Sequence, residues 1–355
     1  MSEYNNWQWQ IKNSIKSVQQ LKNYMGIVST TEHWLDNYFA PVSLPFMITP
    51  YVASLMENNN AKCPIFSQLI SSRQELLIDK TEFSDPLGEE KREVVPHLVH
   101  RYPDRVLFLV TDRCASYCRF CTRKRIVGQG PTPTREQHDE AFNYIENNAA
   151  IKEIIFSGGD PLMLSNSRLD ELLGRASKIK HVDILRIHSR MLTFAPMRVD
   201  DELVSIFKKY KPLYLVTHFN HPKELSTQAL KALQKLQESG IIILNQSVLL
   251  KNINDDAAIL TKLNRTLVKN LVRPYYLHLC DVVTGAKHFR VSLLRALEII
   301  KEMRGNISGL CMPTLVIDIP GGHGKVPLVP NVITKEDAEF YYITGFKNET
   351  AAYPK

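Results

Sequence analysis

Cysteine is scarce, six in 355 residues, which is too few for a disulfide scaffold. Long apolar runs are missing as well. The N-terminus, MSEYNNWQWQIKNSIKS, lacks the hydrophobic core of a signal peptide, and runs such as residues 106–110 are too short to cross a bilayer. A cytoplasmic protein with reduced thiols and no membrane contact is therefore expected. No basic run exceeds Arg123-Lys124-Arg125, and 44 Lys and Arg against 37 Asp and Glu leave a formal charge of only +7. That excess suits small anionic ligands but falls short of a nucleic-acid footprint. What is present, 44% hydrophobic and 23% charged residues, is the composition of a folded globular chain.

Residues 1–95 read as a largely helical N-terminal segment without a nucleotide fingerprint, in which Trp7 and Trp9 are expected to pack against the rest. From residue 96 to 328 a rhythm sets in. Apolar, strand-like runs at 106–110, 151–156, 182–187, 213–216, 241–244 and 275–279 alternate with helical patterns, the clearest over 226–239, where Leu230, Leu233 and Leu236 share a face and Gly240 follows. Six such units of about 30 residues fit a parallel α/β barrel or a doubly wound sheet. Polar residues decide for the barrel. Each of the six runs ends on them, among others Ser157-Gly158-Gly159-Asp160, His188-Ser189-Arg190, Thr217-His218, Asn245-Gln246 and Cys280-Asp281, and barrel enzymes build their sites at that end of the strands. A seventh run, 314–317, leads to Asp318 and Pro320-Gly-Gly-His-Gly-Lys325, and residues 329–355 read as a covering tail.

Cys63, Cys280 and Cys311 lie in apolar contexts that suggest buried side chains. The other three follow the first strand as Cys114-Ala-Ser-Tyr-Cys118-Arg-Phe-Cys121. Three thiolates on one loop can converge on one centre, yet structural zinc and electron-carrying cubanes each take four protein ligands and no second CxxC pair exists. One alternative is zinc completed by a distant ligand. The other is a cubane with one iron left open for a small molecule.

The CxxxCxxC spacing, with Phe120 before its last cysteine and Gly158-Gly159-Asp160-Pro161 after the second strand, resembles the radical S-adenosylmethionine superfamily. The resemblance implies a partial parallel (β/α)6 barrel and a 4Fe-4S cluster on Cys114, Cys118 and Cys121. S-adenosylmethionine is then expected on the open iron, with Gly158, Gly159 and Asp160 at its methionyl end, where glycine lets backbone approach closely.

Arg101-Tyr-Pro-Asp-Arg105, Cys121-Thr-Arg123, Thr217-His-Phe-Asn-His-Pro222, Asn245-Gln-Ser-Val-Leu-Leu250, Arg273-Pro-Tyr-Tyr276, Cys280-Asp281 and the 320–325 loop together resemble the lysine 2,3-aminomutase family. This implies a second cofactor, pyridoxal 5′-phosphate, in Schiff-base linkage to Lys325, with Arg101, Tyr102 and Arg105 at its phosphate. It further implies His218 and Gln246 against S-adenosylmethionine, Arg123 against a substrate carboxylate, and Asp281 with Asp318 against a side-chain ammonium. Two carboxylates in a barrel mouth repel each other when empty and are relieved by a cation, which selects a basic side chain.

The chain departs from the family in three places. It has no cysteine after Cys311, and Asp256 stands where long members place a zinc-binding cysteine; His323 replaces a glycine, so that a new ring is expected near the pyridoxal site; His278 stands where enzymes acting on free lysine tend to have tyrosine. The short tail and His278 resemble the branch acting on a lysine of a translation elongation factor, and an arginine aminomutase would keep the same acidic pair. Asp318 and the intact loop favour a free amino acid, so the expected activity is interconversion of L-lysine and L-β-lysine, served by a cytosolic one-electron donor and possible as a homo-oligomer.

Overall fold

Strands form where branched and aromatic residues cluster, and helices start where a short polar side chain can take the first free N–H groups. The computed structural model, which describes residues 3–26, 38–39, 42–57 and 60–355, follows both rules. Residues 1–2, 27–37, 40–41 and 58–59 of the segment expected to be helical lie outside it. The rest of that segment holds only short helices: α1 (Trp7–Lys12), α2 (Val18–Met25), α3 (Pro50–Ser54) and α4 (Pro64–Leu69).

Ten strands form one sheet in chain order: β1 (Glu93–Val95), β2 (Leu98–Tyr102), β3 (Arg105–Thr111), β4 (Glu153–Gly158), β5 (Ile184–Ser189), β6 (Leu213–Thr217), β7 (Ile242–Leu249), β8 (Arg273–Leu279), β9 (Thr314–Ile319) and β10 (Gly324–Pro327). Neighbours from β3 to β9 run parallel; β1, β2 and β10 pair antiparallel at the two ends. A doubly wound sheet reverses its strand order at a switch point. This one does not, and its six crossovers are the six βα units expected, with β9 as a seventh parallel strand. The sheet stays open, because among the described residues β1 and β10 do not pair. It curves nevertheless, since side chains of β2, β5 and β10 line one cavity. The hairpin β1–β2 spans the boundary expected at residue 95, so the N-terminal segment supplies the first strand.

The crossovers carry α5 (Arg135–Glu146), α6 (Asn166–Ala176), α7 (Met191–Phe194), α8 (Asp201–Lys209), α9 (Thr227–Glu238), α10 (Ala257–Lys269) and α11 (Leu293–Met303). Except for α7, each is capped by a side-chain oxygen that accepts a backbone N–H, from Thr134, Ser165, Asp200, Ser226, Asp256 and Ser292 in turn. Asp256 therefore has a local task of its own. Apolar faces of α5, α6, α8 and α9 close a continuous core against the sheet, and Trp7 packs on its rim. Cys63, Cys280 and Cys311 are buried as expected. The tail forms a separate antiparallel sheet, β11 (Ile333–Glu336), β12 (Phe340–Thr344) and β13 (Thr350–Pro354), whose outer strands are exposed.

One buried cluster ties the N-terminal segment to the loop after β3. Arg119, fully buried, donates from Nε and Nη2 to Glu75 at 2.8 Å each, and to the carbonyls of Pro45 and Leu44 at 3.1 Å. Lys124 Nζ reaches Glu75 Oε2 and the Gly285 carbonyl, both at 3.3 Å. Removing the one anion strands two buried cations. Glu75→Gln should lower the unfolding free energy by about 3–5 kcal/mol, read from urea denaturation; a loss under about 1 kcal/mol would contradict this account.

Candidate active site

Parallel strands taken in order deliver their C-terminal ends to one edge, and there lies a cavity of about 730 Å³. Its volume is in the upper part of the range for ligand pockets. Every site residue expected from the sequence lines it, from the three cysteines at one end to Lys325 at the other.

Cys114, Cys118 and Cys121 follow β3 on a loop held by Arg119. Burial pushes the Cys114 thiol well up, with Asp160 and the other two cysteines adding, and pushes Cys121 up to about 11. Three desolvated thiols oppose each other's ionisation, which a cationic centre offsets. Among the described residues no three ligating side chains are grouped around a single metal ion. A cubane does not require that, since its thiolates bind different irons. Arg190 donates from Nη1 to Cys118 Sγ at 2.8 Å, while Nη2 is held by Gln68 at 2.6 Å and by the buried Glu224 at 3.2 Å.

The loop Gly158-Gly159-Asp160 lies against the backbone leading into the cysteines. Gly159 N donates to the Thr111 carbonyl at 2.6 Å and Asp160 N to that of Arg113 at 2.7 Å. A Cβ on Gly158 would stand 2.2 Å from Thr111 O, and one on Gly159 2.2 Å from Arg113 O. The close approach that demands glycine is thus already made within the chain. Asp160 is occupied too: Oδ1 accepts from Leu162 N at 3.0 Å and Ser189 Oγ at 2.8 Å, and Oδ2 from Arg190 N at 2.8 Å. Its side chain braces β4 against β5. Deeper in, Nε2 of His188, His218 and His278 have no hydrogen-bond partner although buried. Burial holds all three imidazoles below their ordinary range, His218 at about 3. Neutral rings with unmet polar atoms in a cavity wall fit a polar ligand.

The far end is set by the β9–β10 hairpin, whose register places Lys325 directly opposite Asp318. Lys325 Nζ donates to Asp318 Oδ2 at 2.6 Å, and Lys325 N donates to the Tyr102 hydroxyl at 2.9 Å. Arg101 is engaged by Asp318 Oδ1 at 3.4 Å and by the Leu87 carbonyl at 2.8 Å. Arg105 stacks 3.8 Å above the Tyr102 ring and pairs with Asp104, which leaves it the freer cation of the two. These residues fit a phosphorylated, amine-reactive group: a reachable primary amine, an aromatic ring and two guanidinium groups on one wall. His323, expected to bring a ring here, is exposed and does not line the cavity. The turn aims it outward, while Gly322 packs on Leu87 and Gly88, where a Cβ would approach the Leu87 carbonyl to 3.1 Å.

The two acidic residues differ sharply. Burial acts to raise Asp318, but His278 and Lys325 outweigh it and hold the carboxyl well below the usual range. Asp281, also buried and repelled by Asp318, is pushed up to about 7. Arg123 holds a surprise: Glu89, nearly fully buried, clamps its Nε at 3.0 and 3.1 Å and its Nη2 at 2.7 Å, leaving Nη1 3.5 Å from Ser157 Oγ. Glu89 and Arg190 were missed as site residues. Glu89 lies in a stretch of charges that reads as solvated surface, whereas Arg190 was signalled by its place at a strand end.

An ordered parallel sheet with a three-cysteine loop after its first parallel strand defines a radical S-adenosylmethionine enzyme, and a family model of the Radical SAM superfamily matches residues 108–262. A second model, described as Lysine-2,3-aminomutase, matches residues 300–355. An L-lysine 2,3-aminomutase of Methanococcus maripaludis is 42% identical, over 99% of this chain and 82% of its own length; that of Clostridium subterminale is 40% identical, over 99% and 84%. A glutamate 2,3-aminomutase of Clostridioides difficile is 35% identical, over 98% and 82%. The chain belongs to the lysine 2,3-aminomutase family, whose members are isomerases using a 4Fe-4S cluster, S-adenosylmethionine and pyridoxal phosphate. Among the described residues no helix is long and apolar enough to cross a membrane.

Asp281 yields a test without cofactors. An acid whose folded pKa stands near 7 makes folding less favourable as pH rises between its unfolded value and 7. Asp281→Asn escapes this cost, so its stability advantage over the wild type should grow by about 2–3 kcal/mol from pH 5 to pH 8. Denaturation of both proteins at the two pH values measures it; an equal difference at both would contradict the raised pKa.

Proposed function

We propose that this chain moves the α-amino group of L-lysine to C3, interconverting L-lysine and L-β-lysine. The observation that carries the reading is the pair Asp281 and Asp318, set in the same cavity as the three cysteines and Lys325. The ionised Asp318 and the raised acid Asp281 beside it would repel a carboxylate side chain, and a cation would favour the ionised form of both. The relative named for glutamate faces the opposite electrostatic need.

Cys114, Cys118 and Cys121 would hold the cluster, Gly158 to Asp160 and the Nε2 of His218 would meet S-adenosylmethionine, and Lys325, Tyr102 and Arg105 would hold pyridoxal phosphate. Bound there, these groups supply a carbon radical able to take hydrogen from an unactivated carbon and a conjugated carrier for the migrating nitrogen; no side-chain acid or base does the first by proton transfer. The chain's own residues do the rest. Lys325, whose Nζ rests 2.6 Å from Asp318 Oδ2, would offer the amine that attaches pyridoxal phosphate. Asp281 and Asp318 seat the side-chain ammonium and so fix which carbon faces the cysteine end. Neutral His188 and His218 accept hydrogen bonds without adding charge near a radical. A one-electron donor is required as partner, and cytosolic residence accords with a cluster that oxygen would destroy.

One observation favours a second reading. Arg123 spends two of its nitrogens on Glu89, so a free α-carboxylate would meet only Nη1. A lysine within a polypeptide needs no such partner. The discriminating experiment is anaerobic incubation of the reconstituted enzyme with lysine, arginine, glutamate and a lysine-bearing elongation factor, read by chromatography and mass spectrometry. β-Lysine from free lysine, lost in Arg123→Ala, supports the proposal; modification of the elongation factor alone, indifferent to Arg123, overturns it. Lys325→Ala should abolish pyridoxal absorbance and borohydride trapping while the cluster spectrum persists. Trapping at another lysine would refute that assignment.

A further inference from the structure

Four large apolar side chains within eight residues, Leu76, Leu77, Ile78 and Phe83, are between 48% and 70% exposed. They adjoin the cysteine loop. Next to the first of them stands Glu75, which holds Arg119 between the second and third cysteines. The same stretch is joined to the segment after β8: Phe83 N donates to the Val282 carbonyl at 2.8 Å, Thr284 N donates to that of Phe83 at 3.1 Å, and Glu82 accepts from the N–H groups of Gly285 and Ala286 at 3.0 and 3.2 Å. Arg73–Leu76 lies against Lys287–Phe289. Under this joint the buried Phe289 ring meets that of Phe120 edge to face at 5.9 Å, and Phe120 precedes Cys121 in the chain. A continuous path of packed groups thus leads from an exposed apolar patch to the cysteines.

On the assignment of the cluster to Cys114, Cys118 and Cys121, and whichever amino acid is turned over, we infer that this face docks a small acidic iron-sulfur carrier of the ferredoxin type. One electron passes from the carrier, which is oxidised, to the cluster, which is reduced; no bond forms or breaks and no proton moves. An iron-sulfur centre supplies electrons at low potential, which suits the step. Charge selects an acidic partner. Residues 73–83 and 284–290 carry Arg73, Lys80, Lys287 and Arg290 against Glu75, Asp79 and Glu82. Glu75 is buried and answered from inside by Arg119 and Lys124, Asp79 is paired with Lys287, and Glu82 is spent on backbone N–H groups. Arg73 and Lys80, both exposed, carry no ion pair among the described residues, so unanswered positive charge flanks the patch. Electron-transfer encounters are transient and bury less than about 1,200 Å² in all, whereas a permanent interface between copies is larger and more apolar. Four apolar side chains within a basic margin fit the former.

The test compares two reductants of the anaerobic holoenzyme: dithionite, which is small and needs no docking face, and a reduced acidic ferredoxin, which does. Stopped-flow absorbance follows cluster reduction in the wild type, in the double variant Arg73→Glu with Lys80→Glu, in the milder Leu77→Ser, and in Lys208→Glu, a reversal at an exposed lysine of α8, which packs on α6 instead. Reduction by ferredoxin should slow as salt rises and, at low salt, be about tenfold slower in the double variant, within the range of electrostatic steering. Leu77→Ser should slow it at every salt concentration and Lys208→Glu leave it unchanged. Dithionite should reduce all four proteins alike, which shows each folded and loaded; if the double variant does not load, Leu77→Ser alone decides. Ferredoxin rates equal to wild type in the variants of this face, or the same slowing in Lys208→Glu, overturn the inference. So does a patch that pairs two copies, seen as a dimer that Leu77→Ser dissociates, or one through which a flavodoxin reduces the cluster while ferredoxin does not. A wild type that carries no cluster on the three cysteines overturns the inference and that assignment together. β-Lysine formation with dithionite as reductant is untouched by the first three results, so the functional reading stands or falls separately.

Discussion

The ion pair between Arg119 and Glu75 is the contact on which the site depends. Arg119 stands between the second and third cysteines, and with its guanidinium fully buried it has no water to fall back on. Its donors go to Glu75 and to two carbonyls of the N-terminal segment, which makes that segment the backing plate of the cysteine loop. A pair of this kind contributes little net stability against apolar residues of the same shape, but it admits few alternative arrangements once the chain has collapsed. The pair thereby fixes where the cysteine loop meets the N-terminal segment. From there the order runs outward: the 158–160 loop lies on the backbone of 111–113, Asp160 bonds β5, and Arg190 returns to Cys118.

At the opposite end of the cavity the organising effect is mutual frustration. Asp318 is surrounded by Lys325, Arg101 and His278, whereas Asp281 is left desolvated beside it. The cavity is complete in shape and incomplete in charge. Stability is set aside there for binding, as expected where a functional site breaks the rules that the core obeys.

The architecture was legible because it is periodic. Six apolar runs each followed by polar residues specify parallel strands with a shared edge, and Ser, Thr or Asp stands at the start of every crossover helix but α7. Less legible were features that depend on side chains far apart in sequence. Glu89 sits among exposed charges, and only the folded chain brings it under Arg123. The N-terminal segment reads as largely helical, yet among the described residues its helices are short and its last residues join the sheet as β1, where pairing with β2 decides. The glycines of 158–159 were assigned to ligand approach, whereas carbonyls of the chain itself leave no room for a Cβ. His323 looked like an intrusion into a binding site, but the backbone turns it to solvent. In each case the residue type was informative and the direction of the side chain was not.

The hairpin joining β9 and β10 has a consequence for how such a site can change over time. Lys325 and Asp318 are expected to serve different ligands, yet they are neighbours across one four-residue turn and touch each other when neither is occupied. One insertion or deletion within that turn would carry Lys325 to the other face of its strand and strip Asp318 of its counter-ion in the same event. On the proposed assignment, cofactor attachment and side-chain recognition are inherited as a single unit. Drift toward a new substrate is easier at the end of β8, where His278 on the strand and Asp281 in the loop after it can be exchanged without disturbing the turn, so diversification of such enzymes should be concentrated there.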